Sequence, residues 1–206
     1  MTAMPRLGEH PWLGAYAAPT VTPGGGSASA VAAALGCALL AMAAQIGGRK
    51  AERQRERLQW LADEAERLRG ALVEQERADA GVYERMVATV RAARATAGDP
   101  GAARAAESAR ADATDVPLVT AELAAEGLAL AEELASMKLA RTVSDQLVAA
   151  HLLRAGLEGG IATVSYNLGR LAEGEVRDQL AERLRRLEAP RRAGADLIDR
   201  LTGLVQ

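Results

Sequence analysis

Apolar positions along the chain follow helical spacing almost throughout. Residues 28–46 are apolar on every side, rich in Ala, and carry no charge as far as Gly48. A helix of that kind is one that others surround. Ser27 offers an N-cap in front of it and Gly47-Gly48 a stop, so the pattern predicts a central helix over residues 27–46. From Ala51 the period changes. Leu58, Leu61, Ala65, Leu68 and Leu72 recur at alternating steps of three and four with Glu and Arg on the other faces, and the seam continues through Gln75, Asp79, Val82, Met86 and Thr89. This predicts a second, long helix to about Ala97, ended by Gly98-Asp99-Pro100-Gly101.

A third helical stretch covers residues 102–138. Pro117 within it removes a backbone donor and predicts a kink or split near Asp115-Val116. Thr142-Val143-Ser144-Asp145 marks the start of a fourth helix, to about Leu171. A fifth over residues 176–205 carries Leu180, Leu184, Leu187, Leu197, Leu201 and Leu204 on one stripe, with a bend at Pro190. The first twenty-odd residues hold four of the seven prolines, with Trp12 and Tyr16, and read as an irregular arm over residues 1–22. No segment alternates with period two. The expected fold is all-α: a single-domain bundle of about five long helices over residues 1–206.

Composition sharpens this picture. Among 206 residues there is no Phe and only 2% are aromatic, so the core is filled by Ala, Leu, Val and Gly, which suits closely approaching helices better than sheets. The balance of 25 Lys and Arg against 27 Asp and Glu argues against a general nucleic-acid or anionic-membrane binder. The uncharged stretch is long enough to span a bilayer, but it is mostly Ala, starts at a Pro-Gly-Gly-Gly turn and has no basic flank ahead of a compact apolar core. No membrane partner is expected. Cys37 is the only cysteine, which excludes an intrachain disulfide and fits a reducing, cytoplasmic setting. Neither His10 nor His151 has a partner at ligand spacing, so no metal site is expected.

Three features break the helical pattern. Thr22-Pro23-Gly24-Gly25-Gly26-Ser27 runs directly into a helix, where glycines permit close approach and free N–H groups attract negative charge. It lacks the Gly-Lys-Ser/Thr of a phosphate-binding loop and the preceding strand of a dinucleotide fingerprint, and a plain turn remains the alternative. Asp79 falls on the apolar seam, where a carboxylate is costly unless it is paired, fixes register or lines a cavity; Tyr83 follows one turn later. On the fourth helix, Asp145, Ala149, Leu152, Gly156, Gly160, Thr163 and Asn167 share a face with a Gly-x-x-x-Gly centre suited to close helix packing. Asp145 and Asn167 either cap and bond neighbouring backbone or belong to a site. At about 1.5 Å per residue they lie on the order of 33 Å apart, so they cannot serve one site within one chain.

In series, Thr22-Pro23-Gly24-Gly25-Gly26-Ser27, Asp79-x-x-x-Tyr83, Val116-Pro117-Leu118, Ser144-Asp145 with Val148-Ala149-Ala150, and Val164-x-x-Asn167-Leu168 resemble the cyclodeaminase/cyclohydrolase part of the formiminotransferase-cyclodeaminase family, from about residue 19 to 205. The resemblance implies a homodimer that acts on a tetrahydrofolate derivative. Such an enzyme closes 5-formimino-tetrahydrofolate to the 5,10-methenyl form with loss of ammonia, or hydrolyses the methenyl form to 10-formyl-tetrahydrofolate. It implies Asp79 or Asp145 as the proton-handling carboxylate, with Pro23, Gly24, Gly25, Gly26, Ser27, Tyr83 and Asn167 binding substrate. Neither reaction needs a metal or redox cofactor, because one positioned carboxylate moves the protons or offsets the methenyl charge. Self-association is expected on a second ground: the seam of the second helix looks longer than one chain can cover. The alternatives are a catalytically idle folate-binding or scaffold protein of the same fold, and a plain coiled-coil interaction module.

Overall fold

The computed structural model describes residues 11–49 and 52–205, and every regular element among them is helical. The elements are α1 (Pro11–Ala17), α2 (Gly25–Gly48), α3 (Arg55–Ala95), α4 (Pro100–Ser136), α5 (Val143–Leu168), α6 (Glu175–Arg186) and α7 (Glu188–Val205). Single 3₁₀ turns at Glu52–Gln54 and Ala140–Thr142 lead into α3 and α5. Five helices are long and two, α1 and α6, are short. Helix α2 lies between α3 and α5; α4 packs against all three; α6 and α7 lie against α4 and α5.

Small residues set these distances. A Cβ added at Gly36 would stand 2.7 Å from Leu153 and 2.9 Å from the Ala149 carbonyl, and one at Gly156 would stand 2.6 Å from Ala33 Cβ. One at Gly160 would reach 2.8 Å from Ala121 Cβ and from the Pro117 carbonyl. The Gly-x-x-x-Gly face of α5 therefore seats two helices, α2 through Gly156 and α4 through Gly160. Leucines from α3, α4, α5 and α7 fill the spaces between. Cys37 is fully buried among them, and burial pushes its thiol up to about 12, which leaves it inert.

Several boundaries differ from the sequence pattern for local reasons. Residues 1–10 of the expected arm lie outside the described residues, and Pro11–Ala17 is a helix, with Trp12 and Tyr16 in edge-to-face contact. Helix α2 starts two residues before Ser27, with Gly24 as N-cap, because its first turn is secured from α3 instead of by its own side chain. Asp99 caps α4 by accepting from the Gly101 N–H at 2.8 Å, with Pro100 in the first position, so α4 begins before Ala102. The expected fifth helix is two, divided at Leu187, and Pro190 sits in the first turn of α7 where its missing N–H costs nothing. The α3 seam is not exposed: Leu58, Leu61, Ala65, Leu68 and Leu72 are all buried within this chain. The uncovered apolar face belongs to α2, where Val31, Leu35, Ala38, Leu39, Met42 and Ile46 remain partly or fully exposed.

Helix α4 runs unbroken through Pro117. A proline at that position leaves the carbonyl four residues earlier, on Ala113, without its helical donor. The side-chain amide of Asn167 supplies one, donating from Nδ2 to the Ala113 oxygen at 3.0 Å across 54 residues of sequence. Val116-Pro117-Leu118 and Val164-x-x-Asn167 are thus two halves of one clasp that pins the end of α5 to the middle of α4. Asn167→Ala should destabilise the chain by about 1–3 kcal/mol, the cost of an orphaned buried carbonyl. In a Pro117→Ala background, where the backbone donor returns, the same change should cost less than half as much, and a four-variant denaturation cycle measures the coupling.

Candidate functional site at the start of α2

Helix α2 opens with three glycines and no capping side chain of its own. Asp79, 52 residues further on in α3, does that work: its Oδ2 accepts from the Ser27 N–H at 2.9 Å and from Ser27 Oγ at 2.8 Å. A carboxylate at a helix N-terminus also meets the positive end of the helix dipole, so the charge on the seam is satisfied where it stands. Gly26 makes the approach possible, since a Cβ there would lie 2.3 Å from Asp79 Oδ1. Gly25 differs, because a Cβ added to it would meet nothing within 4 Å. Among the described residues the N–H groups of Gly25 and Gly26 have no acceptor, and Asp79 Oδ1 has no donor. Two donors and one carboxylate oxygen are thus left without a partner among the described residues at the start of one helix.

Beyond that end of α2, the last turns of α3 and α5 and the first third of α4 enclose a cleft of about 800 Å³. Tyr83, Met86, Val87 and Val90 form its α3 wall, Thr114 its α4 wall, and Tyr166 and Asn167 its α5 wall. Four guanidinium groups line it, those of Arg91, Arg94, Arg110 and Arg170, and no carboxylate does. Arg170 lies 3.5 Å over the Tyr166 ring and Arg110 pairs with Glu107, whereas Arg91 and Arg94 form no ion pair among the described residues. A second hollow of about 690 Å³ adjoins it, bordered by Val21, Thr22 and Glu84 and sharing Tyr83, Val87 and Arg91. The Thr22-Pro23 peptide bond at this border is cis. From α1, the Tyr16 phenol is pushed up to about 12, by burial first and then by the charges of Glu76 and Asp79.

The structure brings together Gly24, Gly25, Gly26, Ser27 and Asp79, places Tyr83 one turn further along α3, and joins Tyr83 to Asn167 across the cleft. Ser27 is buried, with both its N–H and its hydroxyl committed to Asp79. Asn167 lines the cleft while its Nδ2 serves the clasp. Asp145 lies elsewhere, in the first turn of α5; because α5 runs antiparallel to α2, that places it toward the C-terminal end of α2. The arginines and Tyr166 were not singled out from sequence, although Met86, Val90 and Arg94 continue the spacing of Asp79 and Tyr83 along one face. No group of three or more His, Cys, Asp or Glu suited to a metal ion occurs among the described residues.

Comparison with known proteins gives this geometry a context. A sequence profile described as formiminotransferase-cyclodeaminase matches residues 10–186. Methenyltetrahydrofolate cyclohydrolase of Methylorubrum extorquens is 32% identical over 181 residues, covering 86% of this chain and 85% of that protein. The crystal structure of formiminotetrahydrofolate cyclodeaminase from Thermotoga maritima shares the fold, with a TM-score of 0.81 over 98% of both chains at 24% identity. Every motif that suggested a resemblance, from the glycine loop to Asn167, lies inside the matched span, and the chain belongs to the formiminotransferase-cyclodeaminase family.

Proposed function

We propose that this chain interconverts one-carbon derivatives of tetrahydrofolate, as a methenyltetrahydrofolate cyclohydrolase or a formiminotetrahydrofolate cyclodeaminase, at the start of α2. The observation that carries the reading is Asp79, held by two hydrogen bonds beside a cleft with two tyrosines, four guanidinium groups and no carboxylate. A folate offers the matching chemistry: a flat bicyclic ring, an aryl group and a glutamate with two carboxylates. Guanidinium forks suit carboxylates, and the free N–H groups of Gly25 and Gly26 suit the ring carbonyl.

In the cyclohydrolase direction, water adds to the methenyl carbon that bridges N5 and N10. Asp79 takes one proton of that water and returns it to N5 as the C–N5 bond breaks, while the hydroxyl proton of the tetrahedral intermediate is lost to solvent, leaving the formyl group on N10 and releasing one proton overall. The charge of Asp79 also offsets the cationic amidine before attack. In the cyclodeaminase direction, N10 adds to the formimino carbon and the same carboxylate carries a proton from N10 to the departing ammonia. The chain works as a homodimer in this reading, with the apolar α2 face as the contact between copies.

Purified protein mixed with 5,10-methenyl-tetrahydrofolate should bleach the methenyl absorbance well above the buffer rate. An Asn side-chain oxygen accepts the same two hydrogen bonds, so Asp79→Asn should melt within a few degrees of the parent yet turn over about 100-fold more slowly or worse. Full activity in that variant would remove Asp79 from the chemistry and point to Asp145. Reversing the two unpaired charges, Arg91→Glu with Arg94→Glu, should raise KM about tenfold or more while kcat stays within about twofold, because carboxylate anchoring is equal in ground and transition states.

A further inference from the structure

We infer that the stacked Tyr166–Arg170 pair is an aryl subsite in the middle of the cleft, and that Glu107 is the positioning residue that holds this wall in place. The inference rests on the folate reading for its ligand, the benzoyl ring that joins the pterin to the glutamate. At about 1.5 Å per residue, Arg91 and Arg94 stand on the order of 20 Å along α3 from Asp79. A ligand that reacts at Asp79 and anchors its carboxylates on these arginines therefore has to cross the middle of the cleft. The α3 wall there is aliphatic, with Met86, Val87 and Val90, and Tyr166 with Arg170 supplies the wall at the end of α5.

Composition makes this pair stand out. The chain has three tyrosines, two tryptophans and no phenylalanine, yet two of the three tyrosines line this one cleft. Tyr166 adds little to the core, being 62% exposed. Its ring carries a guanidinium instead: Arg170 lies 3.5 Å over it and donates from Nη1 to the Tyr166 carbonyl at 3.0 Å. A planar cation held by both stacking and a hydrogen bond loses little further freedom when another flat group joins the stack. The cleft cations thus fall into two kinds. Arg170 and Arg110 are held by neighbouring groups, whereas Arg91 and Arg94 form no ion pair among the described residues. The held, flat cation suits a rigid ring, and the loose pair suits a flexible acidic tail.

Two long-range tethers frame the pair. Asn167 Nδ2 donates to the Ala113 carbonyl at 3.0 Å, and the Ala172 N–H donates to Glu107 Oε1 at 2.6 Å. The chain from Asn167 to Ala172 therefore runs antiparallel along α4, with Leu171 buried and Arg170 left exposed. Glu107 has a second partner, because its Oε2 accepts from Arg110 Nη1 at 3.1 Å, about one turn further along α4. Arg110 lines the cleft and Glu107 does not. One carboxylate outside the cleft thus fixes both the segment that carries Arg170 and the cation on the α4 wall.

Two ligands test this without turnover: N-benzoyl-L-glutamate and N-cyclohexanecarbonyl-L-glutamate, each titrated by calorimetry. They share the acidic tail and differ only in a flat against a puckered ring. Burial alone gives the flat ring no advantage, whereas stacking does. The inference predicts that the parent binds the benzoyl ligand about fivefold more tightly. Tyr166→Leu and Arg170→Ala, both at exposed positions, should bring that ratio close to one. Glu107→Ala should do the same, and Glu107→Gln, whose amide oxygen still accepts from the Ala172 N–H, should restore about half of the preference or more. A loss of stability by itself does not move the ratio, because both ligands report on the same folded chain. A parental ratio near one, no binding of either ligand, or full preference surviving in Tyr166→Leu or Arg170→Ala overturns the subsite, and full preference in Glu107→Ala overturns the role of Glu107. A parent that prefers the benzoyl ligand yet leaves methenyl-tetrahydrofolate untouched keeps the subsite and loses the proposed function; one that turns folate over with no such preference does the reverse.

Discussion

The arrangement hangs on one carboxylate. Asp79 reaches from the middle of the longest helix to the first turn of α2 and takes both the backbone and the hydroxyl proton of Ser27. That contact makes an apolar seam tolerate a charge, fixes where α2 begins, and excludes any side chain at Gly26. It also leaves the two preceding N–H groups without an acceptor among the described residues, Gly25 exposed and Gly26 buried beside the carboxylate. A helix start is ordinarily sealed by its own cap or by water. Here the cap comes from another helix, and the remaining donors are available to a ligand.

A second long-range contact shapes the opposite wall. Pro117 would weaken α4 at its centre, but the carbonyl it orphans on Ala113 is the one that Asn167 holds. The end of α5 is thereby kept close to α4, with Tyr166 and Arg170 at the rim of the cleft. Thr114, one residue after Ala113, lines the same cleft. Both contacts join residues more than fifty positions apart. Between them they position the side chains that meet the cavity, and they do so with groups that also belong to its surface. The local excess of four guanidinium groups stands out in a chain whose net charge is −2.

Much of this is legible in the sequence. Helical period, the glycine stop after Ile46, the odd carboxylate at 79 and the close-packing Gly156 and Gly160 are local signals, and each reports on its own element. The start of α2 was misplaced at Ser27 because Ser is an excellent cap locally, and no local rule announces a cap lent by residue 79. The effect of Pro117 was overestimated for the same reason, since its missing donor is replaced from residue 167. The apolar face was assigned to α3 instead of α2, because a heptad seam looks unpartnered until its neighbours are known. The arginines of the cleft lie on α3, on α4 and just past the end of α5, but Arg is common along most of this chain, and only convergence in space separates these four from the rest.

Function follows from where the two clasps place polar groups. A carboxylate with one free oxygen, two free backbone donors and a cationic, aromatic-lined cleft suit a planar, cationic one-carbon carrier with an acidic tail. The most direct measurement is a crystal structure of this chain with 5-formyl-tetrahydrofolate, a stable stand-in for the reacting folate. The account predicts the pterin ring within hydrogen-bond reach of the Gly25 and Gly26 N–H groups, the one-carbon unit beside Asp79, and the glutamate on Arg91 and Arg94. A folate bound elsewhere, with those N–H groups left to water, would contradict it.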